Sequence, residues 1–81
     1  MRWKEGDKVK VKTRNQLLNI PDVIYQENAI AKYKKGEETI FINPVMEKKL
    51  GKTFTIKDVA ERSYTLEEVD WVWAEWMLTH V

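Results

Sequence analysis

The sequence predicts a mainly β domain with one or two short helical turns. Two stretches, GDKVKVK at residues 6–12 and GKTFTIKDV at 51–59, alternate apolar and polar residues with the period of a half-exposed strand. Both open on a glycine, and β-branched residues recur through the rest of the chain. The clearest helix punctuation, at Asn43 to Gly51, spans only about two turns.

In GDKVKVK, Val9 and Val11 share one face, and Lys8, Lys10 and Lys12 share the other. Gly6-Asp7 forms the turn before this strand. Thr13 and Gln16 then have capping-box spacing, which satisfies two free backbone N–H groups of a short helical turn. Leu17 and Leu18 are its apolar anchors. Ile20 stands before Pro21 and is biased away from helix, so the turn ends there.

Residues 22–42 admit two readings. The preferred one is a hairpin of Ala29–Tyr33 and Thr39–Ile42 turning around Lys35-Gly36, with residues 22–28 as a loop. The other is a helix from Asp22 to Lys35, capped by Asp22 and closed by Gly36. Residues 43–51 follow with clear helix signals. Asn43 suits the N-cap, Pro44 the first helical position and Gly51 the C′ position. Val45, Met46 and Leu50 are expected to face the core.

In GKTFTIKDV, Phe54 and Ile56 share a face, with Asp58 next in that register. Residues 62–78 are again ambiguous. As strands, Tyr64 and Leu66 alternate with Ser63, Thr65 and Glu67; a turn at Glu68-Val69-Asp70 leads to Trp71-Val72-Trp73 and a last helical turn from Ala74 to Leu78. As a helix, Thr65 and Glu68 have capping spacing, and Leu66, Val69, Trp73, Trp76 and Met77 form a stripe. That helix leaves Trp71, Val72 and Leu78 off the stripe, more apolar surface than a small protein can cover around one surface helix.

The 81 residues suit one domain, residues 1–81, with a modest core. Four tryptophans give that core large apolar groups. The absence of cysteine removes disulfides, thiolate nucleophiles and common zinc sites, and favours a reducing, cytoplasmic setting. The opening MRWKEGDK has no apolar signal core, and no apolar run is long enough to span a membrane.

Together, the basic strand launched from Gly6-Asp7, the methionine-containing turn leading into GKTFTIKDV, and YTLEE leading into WVWAEWML resemble a group of small phage and prophage proteins of gut bacteria. The matching segments are residues 6–18 and 46–78. The resemblance implies a Src-homology-3-like barrel of about five strands. In it, Trp71–Trp73 is a strand and Trp76-Met77-Leu78 closes the barrel bottom. No residue-by-residue activity carries over. A phage origin implies an accessory protein that modulates a host protein in the host cytoplasm.

The residues argue against an enzyme. His80 is the only histidine and stands one residue from the end of the sequence. Ser63 has no histidine near it in sequence. Glu37-Glu38 and Glu67, Glu68 and Asp70 read as solvated carboxylates without calcium-loop spacing. Gly6, Gly36 and Gly51 are too far apart for a phosphate-cradling loop. No cofactor or metal is expected.

Binding fits better. Trp3, Trp71, Trp73 and Trp76 are candidate partner-binding residues, because exposed aromatics anchor protein interfaces. The competing role for each is core filling. If Trp71 and Trp73 share a strand face, both point in or both point out. Self-association through the same surface is a further expectation. The alternative class is nucleic-acid binding. Lys8, Lys10, Lys12 and Arg14, with Lys32, Lys34 and Lys35, form a basic stripe suited to phosphates. Residues 1–35 carry nine Lys/Arg against four Asp/Glu, or +5; residues 36–81 carry five against nine, or −4. The total of +1 is low for a dedicated nucleic-acid binder, and lysines on an edge strand also serve to block aggregation.

Overall fold

A computed structural model of the chain describes residues 2–26, 28–32, 41–61 and 63–81. Its elements, in chain order, are Lys8–Val11 (β1), Arg14–Leu18 (α1), Val23–Gln26 (β2), Ala29–Lys32 (β3), Phe41–Ile42 (β4), Pro44–Glu47 (α2), Thr53–Val59 (β5), Ser63–Leu66 (β6), Val72–Ala74 (β7), a 3-10 turn at Glu75–Met77, and Leu78–His80 (β8). The mainly β expectation holds. The described strands number eight rather than about five, and they lie in two sheets with no closed barrel among the described residues. One sheet has the order β7-β6-β5-β1-β8; the other is β2-β3-β4. All pairings are antiparallel.

The period-two reading of residues 8–11 is correct in detail: Val9 and Val11 are fully buried, while Lys8 is exposed and Lys10 half-buried. β1 is not an edge strand. It lies between β5 and β8, so its lysines do not guard an open edge. The two glycine turns launch β1 and β5 as expected. Gly6 and Gly51 have φ of +88° and +79°, a region costly to residues with a Cβ. Their N–H groups donate to Ile56 C=O and Val11 C=O, each at 2.9 Å, and so tie the two ends of the β1–β5 pairing.

The capping predictions also hold. Gln16 N–H donates to Thr13 Oγ1 and Thr13 N–H to Gln16 Oε1, which seats Leu17 in the core. Met46 N–H donates to Asn43 Oδ1 at 2.9 Å, with Pro44 in the first turn. Helix α2 ends at Glu47, however, and a run of turns fills 48–51, so Gly51 serves the β5 launch rather than a helix C′. Val45 points outward and is 53% exposed, whereas Met46 is buried.

In residues 22–42 the helix reading is overturned and the hairpin reading holds in part, with β3 pairing β4. The turn expected around Lys35-Gly36 lies outside the described residues. Residues 22–28 are not simply a loop: Val23–Gln26 is β2, paired with β3. Its Val-Ile-Tyr run has the β preference, and Asn28, at φ +64°, takes the turn that follows. In residues 62–78 the strand reading holds. The last segment differs: one 3-10 turn replaces the helical turn at 74–78, and Leu78–His80 pairs with β1.

One apolar core serves both sheets. Val9, Val11, Ile56, Tyr64, Leu66, Trp73, Met77 and Leu78 meet Val23, Ile30 and Ile42 from the smaller sheet, with Leu17 and Met46 from the helices. Between Ile56 and Asp58 the β5–β6 register shifts at a bulge. This breaks the alternation, so Asp58 does not follow Ile56 inward and is exposed. Trp3 is 5% exposed, with its ring edge-on to Tyr64 of β6 at 5.6 Å and to His80 of β8 at 5.5 Å. These strands are separated by β5 and β1 in the sheet order, so the sheet curls around Trp3. The Tyr64 hydroxyl accepts from the N–H groups of Arg2 and Trp3, holding the segment in place.

Trp3→Ala is therefore expected to lower stability by about 3–5 kcal/mol, out of about 4–12 for a chain of this size. Trp3→Phe should lose much less, since it keeps the ring contacts and removes a buried indole N–H without an acceptor among the described residues. Denaturant unfolding measures both. A loss under about 1 kcal/mol for the alanine variant would refute this role.

Candidate functional surface

The structure separates the four candidate tryptophans. Trp3 and Trp73 are core residues, 5% and 0% exposed, and offer no surface to a partner. Trp76, on the 3-10 turn, is half-buried and packs against the core. Trp71 is 44% exposed. It does not share a strand face with Trp73, because β7 begins only at Val72 and Trp71 sits in the bend before it. The pairing of fates expected for Trp71 and Trp73 fails for that reason.

The turn that presents Trp71 is built by two constraints. Val69 is buried, which anchors the connection to the core, and Glu68 takes φ +70°, which reverses the chain. Trp71 then emerges beside Val72, which is 48% exposed. Val72 pairs with Thr65, and Thr65 with Asp58, forming a row across the outer face of β7, β6 and β5. An exposed indole next to an exposed valine suits a partner's apolar side chain.

The cationic candidates also divide. Lys8 pairs with Thr55, and Lys10 with Thr53 and Thr79, so these lysines stand on an outer face lined with threonine. Arg14 lies over the Tyr25 ring at 4.5 Å, a cation–π contact rather than part of a stripe. Lys34 and Lys35 lie outside the described residues. Lys12 stands past the end of β1, with its N–H donating to Met77 C=O at 2.9 Å. Its ammonium is held below its ordinary pKa of 10.5 by partial burial, then by the positive charges of Arg2 and Lys32. Arg2 in turn faces Glu75 at 3.7 Å.

One surface has no counterpart in the sequence reading. Ile24, Ala31 and Phe41 lie directly opposite one another across β2, β3 and β4. Ile24 and Phe41 are 47% and 52% exposed, so the outer face of the small sheet is apolar. The signal was weak because residues 22–28 read as a loop, which hid the alternation of β2. Among the described residues no group of three His, Asp or Glu side chains is placed to hold a metal ion. No described helix is long and apolar enough to cross a membrane.

Two measurements check these placements. Trp71→Phe should remove most of the fluorescence that acrylamide quenches in the folded protein; unchanged quenching would place the accessible indole elsewhere. The second concerns Lys12. Its folded pKa lies below its unfolded one, so between the two values the unfolded chain binds more protons and stability rises with pH. Lys12→Gln should flatten this rise in the window just below pH 10.5, read as the difference between the two proteins' unfolding curves. Parallel curves would refute it.

Compared with protein-family models, curated proteins and solved structures, the chain has no match.

Proposed function

We propose that this chain is a non-enzymatic binding module whose partner is a protein, met at the Trp71–Val72 surface. The observation that carries the reading is an indole 44% exposed beside a valine 48% exposed, on a turn fixed from below by buried Val69. A small domain whose other three tryptophans lie in its core or pack against it has little reason to leave this pair in water unless something covers it.

The architecture belongs to the same proposal. A Src-homology-3-like barrel is supported by the five-stranded sheet and its curl around Trp3, and by the burial of Met77 and Leu78 beneath it. On this reading, β2, β3 and β4 form an insertion between β1 and β5. The phage or prophage origin, the cytoplasmic setting and a host protein as partner rest on the resemblance of residues 6–18 and 46–78. Self-association through Trp71 is the homotypic form of the same contact.

The test is capture from a host lysate with and without nuclease. The wild-type chain is expected to retain a protein, and Trp71→Ala to weaken that contact by about 2 kcal/mol, roughly thirtyfold, as for an interface hot spot. Nuclease should change nothing. Retention that nuclease abolishes, or that Trp71→Ala leaves intact, would overturn the proposal. The first result would instead favour nucleic-acid binding by Lys8 and Lys10.

A further inference from the structure

The open edge of the five-stranded sheet runs beside Trp71 and Val72. In the order β7-β6-β5-β1-β8, β7 has a strand on one side only. The direction of its backbone groups follows from the bonds that the β6 segment makes on its far side. Ser63 C=O accepts from Ala60 N–H, and Glu67 N–H donates to Thr55 C=O, each at 2.9 Å. Ser63, Thr65 and Glu67 therefore turn their backbone groups toward β5, and Tyr64 turns toward β7. Tyr64 exchanges its bonds with Trp73, its register partner, while Thr65 and Val72 face each other without any. Val72 is left with its N–H and C=O aimed away from β6. Ala74 has the same phase, and its N–H donates to Met77 Sδ at 3.4 Å. Neither backbone group of Val72 has a partner among the described residues.

This sets β7 apart from two other edges. On β8 the first outward N–H, that of Leu78, donates to Glu75 C=O. On β2 the first outward N–H, that of Val23, donates to Ile20 C=O, and the Arg14 guanidinium lies over Tyr25. On β7 the first outward pair is free, and an exposed indole stands beside it.

The surroundings carry mostly one sign of charge. Residues 57–75 hold six Asp/Glu against Lys57 and Arg62. Glu68 and Asp70 belong to the turn that presents Trp71, and Asp58 lies in the outer row with Thr65 and Val72. All three carboxylates are exposed, and none is in an ion pair among the described residues. A segment docking here meets a negative potential that strengthens at low salt.

We propose that the partner adds an extended segment along β7, with an apolar residue opposite Val72 and basic residues two positions to either side. This names the partner chemistry of the Trp71–Val72 surface and rests on that reading. The residue opposite Val72 exchanges two hydrogen bonds with it and sets its side chain on the same outer face. There it covers Val72 and meets the Trp71 indole. Alternation brings the two basic residues onto that face as well, in the field of Glu68 and Asp70.

The test titrates the isotopically labelled, folded chain at low salt with the capped peptide Lys-Thr-Val-Thr-Lys, following backbone amide resonances. Two further peptides run in parallel, one N-methylated at its valine and one with both lysines replaced by glutamate. The first peptide is expected to shift the Val72 amide and slow its hydrogen exchange. N-methylation removes the N–H that meets Val72 C=O and should weaken binding about tenfold. The glutamate peptide should lose about as much. Glu68→Gln combined with Asp70→Asn should weaken the lysine peptide about fivefold, and Lys8→Gln should not. No shift at Val72, or equal binding of either altered peptide, overturns the proposal. Failure here with a Trp71-dependent protein still captured from lysate would reject strand addition and leave the protein-partner reading standing.

Discussion

The packing of Trp3 between Tyr64 and His80 is the contact on which the rest of the fold depends. A small sheet has too little area to bury a core by lying flat against another layer. Here it curls, and Trp3 occupies the inside of the curl, touching β6 and β8 across the two strands between them. Tyr64 contributes twice, with its ring against Trp3 and its hydroxyl to two backbone N–H groups. The bulge at Ile56–Asp58 supplies the extra twist that the curl needs. The buried Trp3 and Trp73 indole N–H groups have no acceptor among the described residues, so both rings are kept for their apolar area.

The same constraint explains the division among tryptophans. A ring inside the curl must come from a strand position facing inward, as Trp73 does opposite Tyr64, or from a segment laid across it, as Trp3 does. Trp71 meets neither condition, because the chain is still turning when it passes. Its exposure follows from the anchoring of Val69 two residues earlier. Surface and core are thus assigned by where the strand begins, not by residue type.

This also marks what the sequence made legible. Alternation at Val9 and Val11, the caps at Thr13 and Asn43, and the glycines at 6 and 51 each have a local cause, and each stands where expected. The misreadings are those set by tertiary pairing. β2 and β8 are short strands held by their partners, and neither shows a period long enough to recognise alone. The onset of β7 one residue after Trp71 is likewise fixed by pairing of Val72 with Thr65. The alternating lysines suggested a single stripe, but the strand ends before Lys12 and the stripe ends with it.

The excursion between β1 and β5 is closed at its base. Val11 N–H donates to Lys52 C=O and Gly51 N–H to Val11 C=O, each at 2.9 Å, so the chain leaves and returns at one point. Closing a long loop costs entropy that grows only slowly with length, and the excursion offsets it by burying Leu17, Val23, Ile30, Ile42 and Met46 in the shared core. Its inner face is therefore fixed by the requirements of folding. The outward side chains of Ile24 and Phe41 are not, and neither is that of Trp71. Variation at these outer positions leaves the buried contacts of Trp3 intact. In a domain this small, that separation lets recognition change without undoing the curl that holds the chain together.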